Sequence, residues 1–376
     1  MREAGPRMAR QAQGDVLLVT DAYLLQIGVA EQAVRSLEQS GLKVEIFGEV
    51  SGEPDLDVGE RVAAVARSRN WGGVVGLGGG SSLDLAKIAA AAATNDVAIT
   101  DFVGVDHLAR ETRPLVLIPT TAGTGSEATS IAMISVDGRK RIINDRVLIP
   151  RVAILDANLT FSMPQPVTAA TGLDALSHAA ETFISTLANP FTEAMSRQAI
   201  RMLSTSLRRA FHDGSDLEAR RATLYAAHIA GRSLNASTIL GHSIAYTIAN
   251  RAHLPHGITC AMALPACLAY SLSNGEASRR LSILAGEVAD EDVRTGLDLL
   301  RWLDELNEEL GVPDSLESVG IGQDEILAMA QECLQLYPRP NNPVSLQLER
   351  LGELYADLWR GDVKGYVQHV LNDDRS

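Results

Sequence analysis

Three cysteines in 376 residues, Cys260, Cys267 and Cys333, are too few and too scattered for a disulfide scaffold, and they form no close Cys-x-x-Cys or Cys/His array. An odd, sparse count suggests reduced thiols at packing positions in a cytoplasmic protein. No uninterrupted apolar stretch approaches the about 18 residues that a membrane-spanning helix needs. Residues 1–14 are polar and carry no signal-peptide core. Positive charge is in deficit: 33 Lys and Arg stand against 47 Asp and Glu, a formal net charge of −14. That balance argues against a general nucleic-acid or anionic-membrane surface, though not against a local basic pocket. The expected partner is therefore a small molecule, with no nucleic acid and no membrane.

What is present falls into two parts. Short apolar runs at 15–19, 44–47, 73–77 and 115–118 read as strands, and 29–40, 56–70 and 84–93 as helices between them. Strands alternating with helices imply an α/β domain with a parallel, doubly wound sheet. After about residue 163 only helical patterns recur: 167–187, 190–211, 216–234, 237–250, 276–288, 293–310, 323–335 and 345–358. The expected division is 1–162, a dinucleotide-binding α/β domain, and 163–376, an all-α domain.

Two loops of the first part suit phosphate. Gly78-Gly79-Gly80-Ser81-Ser82 joins a strand to a helix, where missing side chains and free helix N–H groups admit an anion such as pyrophosphate. The bland alternative is a tight turn. Pro119-Thr-Thr-Ala-Gly-Thr-Gly-Ser-Glu127 also follows a strand and offers hydroxyl donors, or else simply caps a helix near Ser126. Asp21, at the end of the first strand, is placed to accept from ribose hydroxyls and repel a 2′-phosphate, or to serve as a helix N-cap.

The second part carries Asp174 and His178, four residues apart and so on one helix face, followed by His242 and His256. Alone, each histidine reads as an ordinary buried or capping residue. Together they form an N/O set for Fe(II) or Zn(II), which would polarise a substrate oxygen. His107, His212 and His369 lie in polar or terminal stretches and read as surface residues, His228 as core, and His253 as a pocket-lining neighbour of His256.

These segments resemble those of the iron-containing (group III) alcohol dehydrogenases over roughly residues 15–360. The resemblance rests on Val19-Thr-Asp21, Gly78-Gly-Gly-Ser-Ser-Leu-Asp-Leu-Ala-Lys87, the 119–127 loop, Asp156-Ala-Asn-Leu159, Gly172-Leu-Asp-Ala-Leu-Ser-His178 and Pro255-His-Gly257. It implies an NAD(H)-dependent dehydrogenase with Fe2+ (Zn2+ as the alternative metal), metal and nicotinamide meeting in an interdomain cleft. A homodimer is expected. By position, Asp174, His178, His242 and His256 match the metal ligands. Gly79, Gly80, Ser81 and Asp84 match the pyrophosphate loop, and Thr120, Thr121 and Thr124 the second nucleotide loop. Lys140 and Leu159 match further cofactor neighbours, and Asp21 the aspartate associated with NAD rather than NADP.

Three departures stand out. The segment before Asp15 is short and polar where many members begin with an extra strand. Gly52-Glu53-Pro54 replaces a Pro-Asn-Pro that makes an adenine-side contact. Tyr246 occupies a position where several members have a second histidine near the nicotinamide. A phenol, with an ordinary pKa near 10, is a poor base at neutral pH. His-x-x-x-Tyr with Pro-His-Gly resembles the branch that includes phosphonoacetaldehyde reductases, and Arg251 is the expected partner of a phosphonate or carboxylate. The reading is thus an oxidoreductase interconverting a small alcohol and its aldehyde or ketone, leaning toward an anionic aldehyde, with Tyr246, His253 and Arg251 as catalytic-site candidates. The rivals are a lyase or cyclase on the dehydroquinate-synthase-like scaffold, which also combines NAD with a metal, and a non-catalytic binding protein.

Overall fold

The computed structural model describes residues 1–12, 14–362, 365 and 367; His369 lies outside the described residues. The chain divides into two compact units, the first Met1–Ser162 and the second beginning at Met163.

In the first unit, helices α1 (Ala4–Ala9), α2 (Ala22–Gln26), α3 (Val29–Gln39), α4 (Leu56–Arg67) and α5 (Gly80–Ala92) accompany eight strands. These are β1 (Val16–Asp21), β2 (Val44–Val50), β3 (Gly73–Gly78), β4 (Gly104–Val105), β5 (Leu115–Pro119), β6 (Ile131–Val136), β7 (Arg139–Asn144) and β8 (Val152–Ala153). Five strands form a sheet in the order β2-β1-β3-β5-β8, every neighbouring pair parallel. Leu17, Val19 and Val74 face one apolar cluster, while Val16, Leu18, Val75 and Leu77 face the other. This alternation explains why β1 and β3 read as continuous apolar runs: both faces are covered. The chain moves from β1 outward to β2, then back past β1 to β3. The strand order therefore reverses between β1 and β3, whose carboxyl ends are Asp21 and Gly78. In open α/β sheets such a reversal opens the crevice that ligands use.

Two elements differ from the expectation. The N-terminal segment is not a polar tail. It forms α1, whose Ala4 and Met8 are buried and whose Gly5 N–H donates to Ser36 Oγ at 3.0 Å. Only the exposed face of that helix is polar, which hides its amphipathic spacing in so short a stretch. Residues 131–144 form an antiparallel hairpin, β6 and β7, joined to β4 in a second sheet of order β4-β7-β6. Its turn is Asp137-Gly138, both at positive φ (52° and 69°), the pairing that a two-residue hairpin loop requires.

Among its described residues the second unit is helical: α6 (Gln165–Ile184), α7 (Pro190–His212), α8 (Leu217–Ser233), α9 (Leu240–Ala252), α10 (His256–Ser271), α11 (Gly275–Ala285), α12 (Gly296–Glu309), α13 (Ile326–Leu336) and α14 (Leu348–Arg360). The strongly apolar α10 is absent from the sequence reading. Pro265 lies inside it and nearly every residue from Thr259 to Ser271 is buried, so neither an amphipathic stripe nor an uninterrupted propensity marks it. No described helix is long and apolar enough to cross a membrane.

Candidate metal centre and nucleotide loops

One face of α6 carries Asp174, His178 and Glu181, spaced by four and then three residues, and all three are buried. Helix α9 brings His242 and Tyr246, and α10 begins at His256 and carries Cys260 one turn later. Close approach of α10 to α6 depends on Gly257: a Cβ there would lie 1.8 Å from the Ala170 carbonyl oxygen. The Pro-His-Gly segment is thus a packing requirement as well as a source of an imidazole.

The donor atoms converge. Asp174 Oδ1 lies 3.6 Å from His178 Nε2 and 4.0 Å from His256 Nε2. Cys260 Sγ lies 3.8 Å from His242 Nε2 and 3.6 Å from His256 Nε2. One donor atom each from Asp174, His242, His256 and Cys260 fits within 4.8 Å of the others. The four-residue set read from the sequence therefore differs from the tightest cluster, in which Cys260 stands in place of His178. His178 remains adjacent, its ring stacked on His242 with centroids 4.9 Å apart. Its Nδ1 is buried without a hydrogen-bond partner among the described residues. A carboxylate, several imidazoles and a thiol in a buried cluster suit a first-row divalent ion, whose charge would offset the burial of the carboxylate.

Glu181 is a candidate site residue that the sequence reading missed. Its Oε1 accepts from His242 Nδ1 at 2.5 Å, and its Oε2 accepts the backbone N–H of Ile239 (2.8 Å) and of His242 (3.2 Å). Burial pushes its pKa up to about 7, against the opposing pull of the Arg339 guanidinium. With Nδ1 held by a carboxylate, His242 presents Nε2 to the donor cluster. The spacing Asp174, His178, Glu181 was the available signal, since it continues one helical face for a further turn.

The remaining site candidates separate. Tyr246 stacks on His256 with centroids 5.6 Å apart and packs against Tyr337 at 5.1 Å. Burial pushes its hydroxyl up to about 12, so it keeps its proton at neutral pH. Arg251 is not available to a ligand as expected: Nε donates to Glu325 Oε2 (3.1 Å), and Nη1 donates to Glu332 Oε2 (2.8 Å) and the Thr247 carbonyl (3.0 Å). His253, expected as a pocket-lining neighbour of His256, is not buried. It is the exposed C-cap of α9 at φ 50°, the left-handed conformation that ends the helix. His107 and His212 are exposed, His212 pairing with Glu309 at 2.8 Å, while His228 is half-buried rather than core.

In the first unit the two loops face each other. A Cβ on Gly79 would sit 3.5 Å from Thr121 Cγ2, and one on Gly80 would sit 2.7 Å from Thr124 Cγ2. Gly78 has φ 148° and its carbonyl accepts from the Thr120 N–H at 3.0 Å. Ser81 lies in the first turn of α5, whose N-terminal N–H groups are the anion-attracting end of that helix. The cradle thus fits a phosphate that approaches backbone closely.

Asp21 does two things: Oδ1 caps α2 by accepting from the Leu24 N–H at 2.9 Å, and Oδ2 points toward Gly78, 3.1 Å from where a Cβ would stand. Asp84, expected in the pyrophosphate loop, is buried and braces that loop. Its Oδ1 accepts from Ser126 Oγ (2.6 Å) and its Oδ2 from the Met133 N–H (3.0 Å), tying α5 to the second loop and to β6. Lys87 completes the brace by donating to Thr129 Oγ1 and its carbonyl, both at 3.0 Å. Burial lowers its pKa to about 8. Lys140, on β7, pairs with Glu53 Oε1 at 2.6 Å, so the residue that departs from Pro-Asn-Pro engages this lysine. The Leu159 side chain is buried in the apolar cluster beneath the sheet.

Residues 168–359 match the family described as Fe-containing alcohol dehydrogenase family, C-terminal, and residues 1–157 match iron-containing alcohol dehydrogenase. The chain is 34% identical over 339 residues to long-chain-alcohol dehydrogenase 1 of Geobacillus thermodenitrificans, covering 88% of this chain and 85% of that one. It is similar in structure to a 1,3-propanediol oxidoreductase, with TM-score 0.90 and 29% identity over 95% of each chain. It is also similar to a sulfoacetaldehyde reductase from Bifidobacterium kashiwanohense in complex with NAD+, with TM-score 0.85 and 25% identity, covering 95% of this chain and 94% of that one. All three are named for redox chemistry, and none supports the lyase or cyclase alternative.

Proposed function

Since the chain belongs to the iron-containing alcohol dehydrogenase family, we propose that it is an NAD(H)-dependent oxidoreductase interconverting a small alcohol with its aldehyde or ketone, with Fe2+ held by Asp174, His178, His242 and His256. The observation that carries this reading is the convergence of donor atoms from buried Asp174 and His242 and half-buried His256 beside His178. When bound, the ion supplies polarisation of the substrate oxygen and the nicotinamide supplies the hydride acceptor or donor. The chain's own residues do the rest. Glu181 fixes the His242 ring, and Tyr246 walls the site beside His256 with a hydroxyl that stays protonated. The Gly78–Gly80 backbone and the N-terminus of α5 receive the pyrophosphate, and Asp21 Oδ2 disfavours a 2′-phosphate by like charge.

The finer reading is an anionic aldehyde, with Arg339 rather than Arg251 as its partner. The half-buried Arg339 donates from Nε to Ser243 Oγ at 3.0 Å, beside His242 in α9. Ser243 Oγ in turn donates to the Tyr337 carbonyl at 2.7 Å, which pins the 337–339 segment along α9. Among the described residues no carboxylate lies within ion-pair range of Arg339. Its charge opposes the burial that raises the pKa of both Glu181 and Tyr246, so it is felt beside the metal cluster. The sulfoacetaldehyde reductase neighbour is named for an aldehyde carrying a sulfonate.

The test is an anaerobic NADH assay with Fe(II) across neutral, carboxylated, sulfonated and phosphonylated aldehydes. Arg339→Ala is expected to lower kcat/KM for the anionic aldehydes by about 10–100-fold, with neutral ones changed by less than about three-fold. Equal losses for both classes would remove Arg339 from substrate selection. Full activity and metal content in His256→Ala would remove the metal assignment.

A further inference from the structure

Cys260 is set apart from the other two cysteines by its surroundings. Cys267 and Cys333 are buried thiols whose pKa burial pushes up, Cys333 to about 12, as expected of inert packing residues. Cys260 is equally buried, yet it follows His256 by four residues on α10, so its sulfur lies over the same helix face as that imidazole. Its Sγ is 3.6 Å from His256 Nε2 and 3.8 Å from His242 Nε2. Metal–nitrogen and metal–sulfur bonds of about 2.1 and 2.3 Å, meeting at a tetrahedral angle, separate nitrogen from sulfur by about 3.6 Å. Both observed separations are close to that value, and Asp174 completes a group whose donor atoms all lie within 4.8 Å. His178 is the member of the expected set that stands outside this group.

We propose that Cys260 is a sulfur donor to the ion held by this cluster, making the centre a mixed oxygen, nitrogen and sulfur site. The proposal rests on the metal reading above and gives Cys260 the place that the expected set gives to His178. On binding, the Cys260 S–H bond breaks heterolytically, the proton passes to solvent, and Sγ shares an electron pair with the ion; no redox change occurs. A thiolate softens the site and favours Zn(II) and Co(II) relative to an all-oxygen and nitrogen set.

The full-length protein loaded with one equivalent of Co(II) tests this directly. A thiolate-to-cobalt charge-transfer band in the near ultraviolet is expected in the wild type. It should be lost in Cys260→Ala and kept in Cys333→Ala, with both variants still binding cobalt. X-ray absorption on the zinc-loaded wild type needs no variant to fold, and should show one sulfur at about 2.3 Å. Competition between Zn(II) and Fe(II) should shift about ten-fold or more toward iron in Cys260→Ala. A wild-type ion surrounded by oxygen and nitrogen alone would overturn the sulfur ligand while leaving the metal reading intact. Failure of the wild type to bind any divalent ion, matched by Asp174→Ala, would overturn both.

Discussion

His242 and Glu181 form a carboxylate–imidazole pair 2.5 Å apart, buried on both sides, in which Nδ1 is held and Nε2 is turned to the donor cluster. Such pairs raise ligand basicity and fix the ring. Glu181→Gln cannot satisfy the same three N–H donors, because one of its two oxygens becomes an amide nitrogen. Metal affinity is expected to fall by roughly 10–100-fold, measured by chelator competition on the folded protein. An unchanged affinity would reduce Glu181 to a helix cap.

Two glycines should fail in opposite ways. In Gly80→Ala the new Cβ meets the Thr124 side chain, 2.7 Å away, which can rotate into the loop space. NADH affinity should drop by about ten-fold while metal content and thermal stability hold. In Gly257→Ala the Cβ meets the Ala170 carbonyl oxygen at 1.8 Å, and only helix displacement relieves it. That substitution should destabilise by about 3 kcal/mol or more and empty the metal centre. Fluorescence titration of NADH and elemental analysis distinguish the two.

Lys87 gives the first unit a defined alkaline signature. Its pKa is about 8 in the fold and 10.5 as its ordinary value. The folded form releases its proton first, so between those values the unfolded chain binds more protons and stability from this group rises with pH. Below pH 8 the burial of the charge is felt in full. The span corresponds to about 3 kcal/mol. Urea unfolding of wild type and Lys87→Met from pH 7 to 10.5 should show the difference moving in favour of the wild type as pH rises. A difference independent of pH would mean that the lysine keeps its proton throughout.

Arg251→Ala should cost about 1 kcal/mol of stability, because both glutamate partners retain solvent contact. The ratio of kcat/KM between anionic and neutral aldehydes should stay within about two-fold of wild type. A collapse of that ratio would restore Arg251 to the substrate site in place of Arg339.

The legible parts of the chain were those in which local pattern and final environment agree. The runs of β1 and β3 are apolar because both sheet faces are covered, and Gly78–Gly80 marks a close approach that backbone alone can make. Asp174 and His178 were visible because helical spacing joins them. Cys260 was not, since α10 is buried all round and interrupted by Pro265, which hid the turn linking it to His256. Arg251 misled for the complementary reason: Glu325 and Glu332, more than seventy residues away in sequence, neutralise it, and no local pattern records that. Arg339 lies in a connecting segment, where neither periodicity nor a motif singles it out.

Asp84 and Lys87 anchor the helix behind the glycine loop to the hairpin strand β6 and to Thr129. The stiffness of the glycine loop is therefore set partly by side chains whose partners lie in another element. Substitutions along β6 are expected to act as a remote handle on nucleotide affinity. They offer a lineage, or an engineer, a way to adjust turnover while every cofactor contact stays as it is.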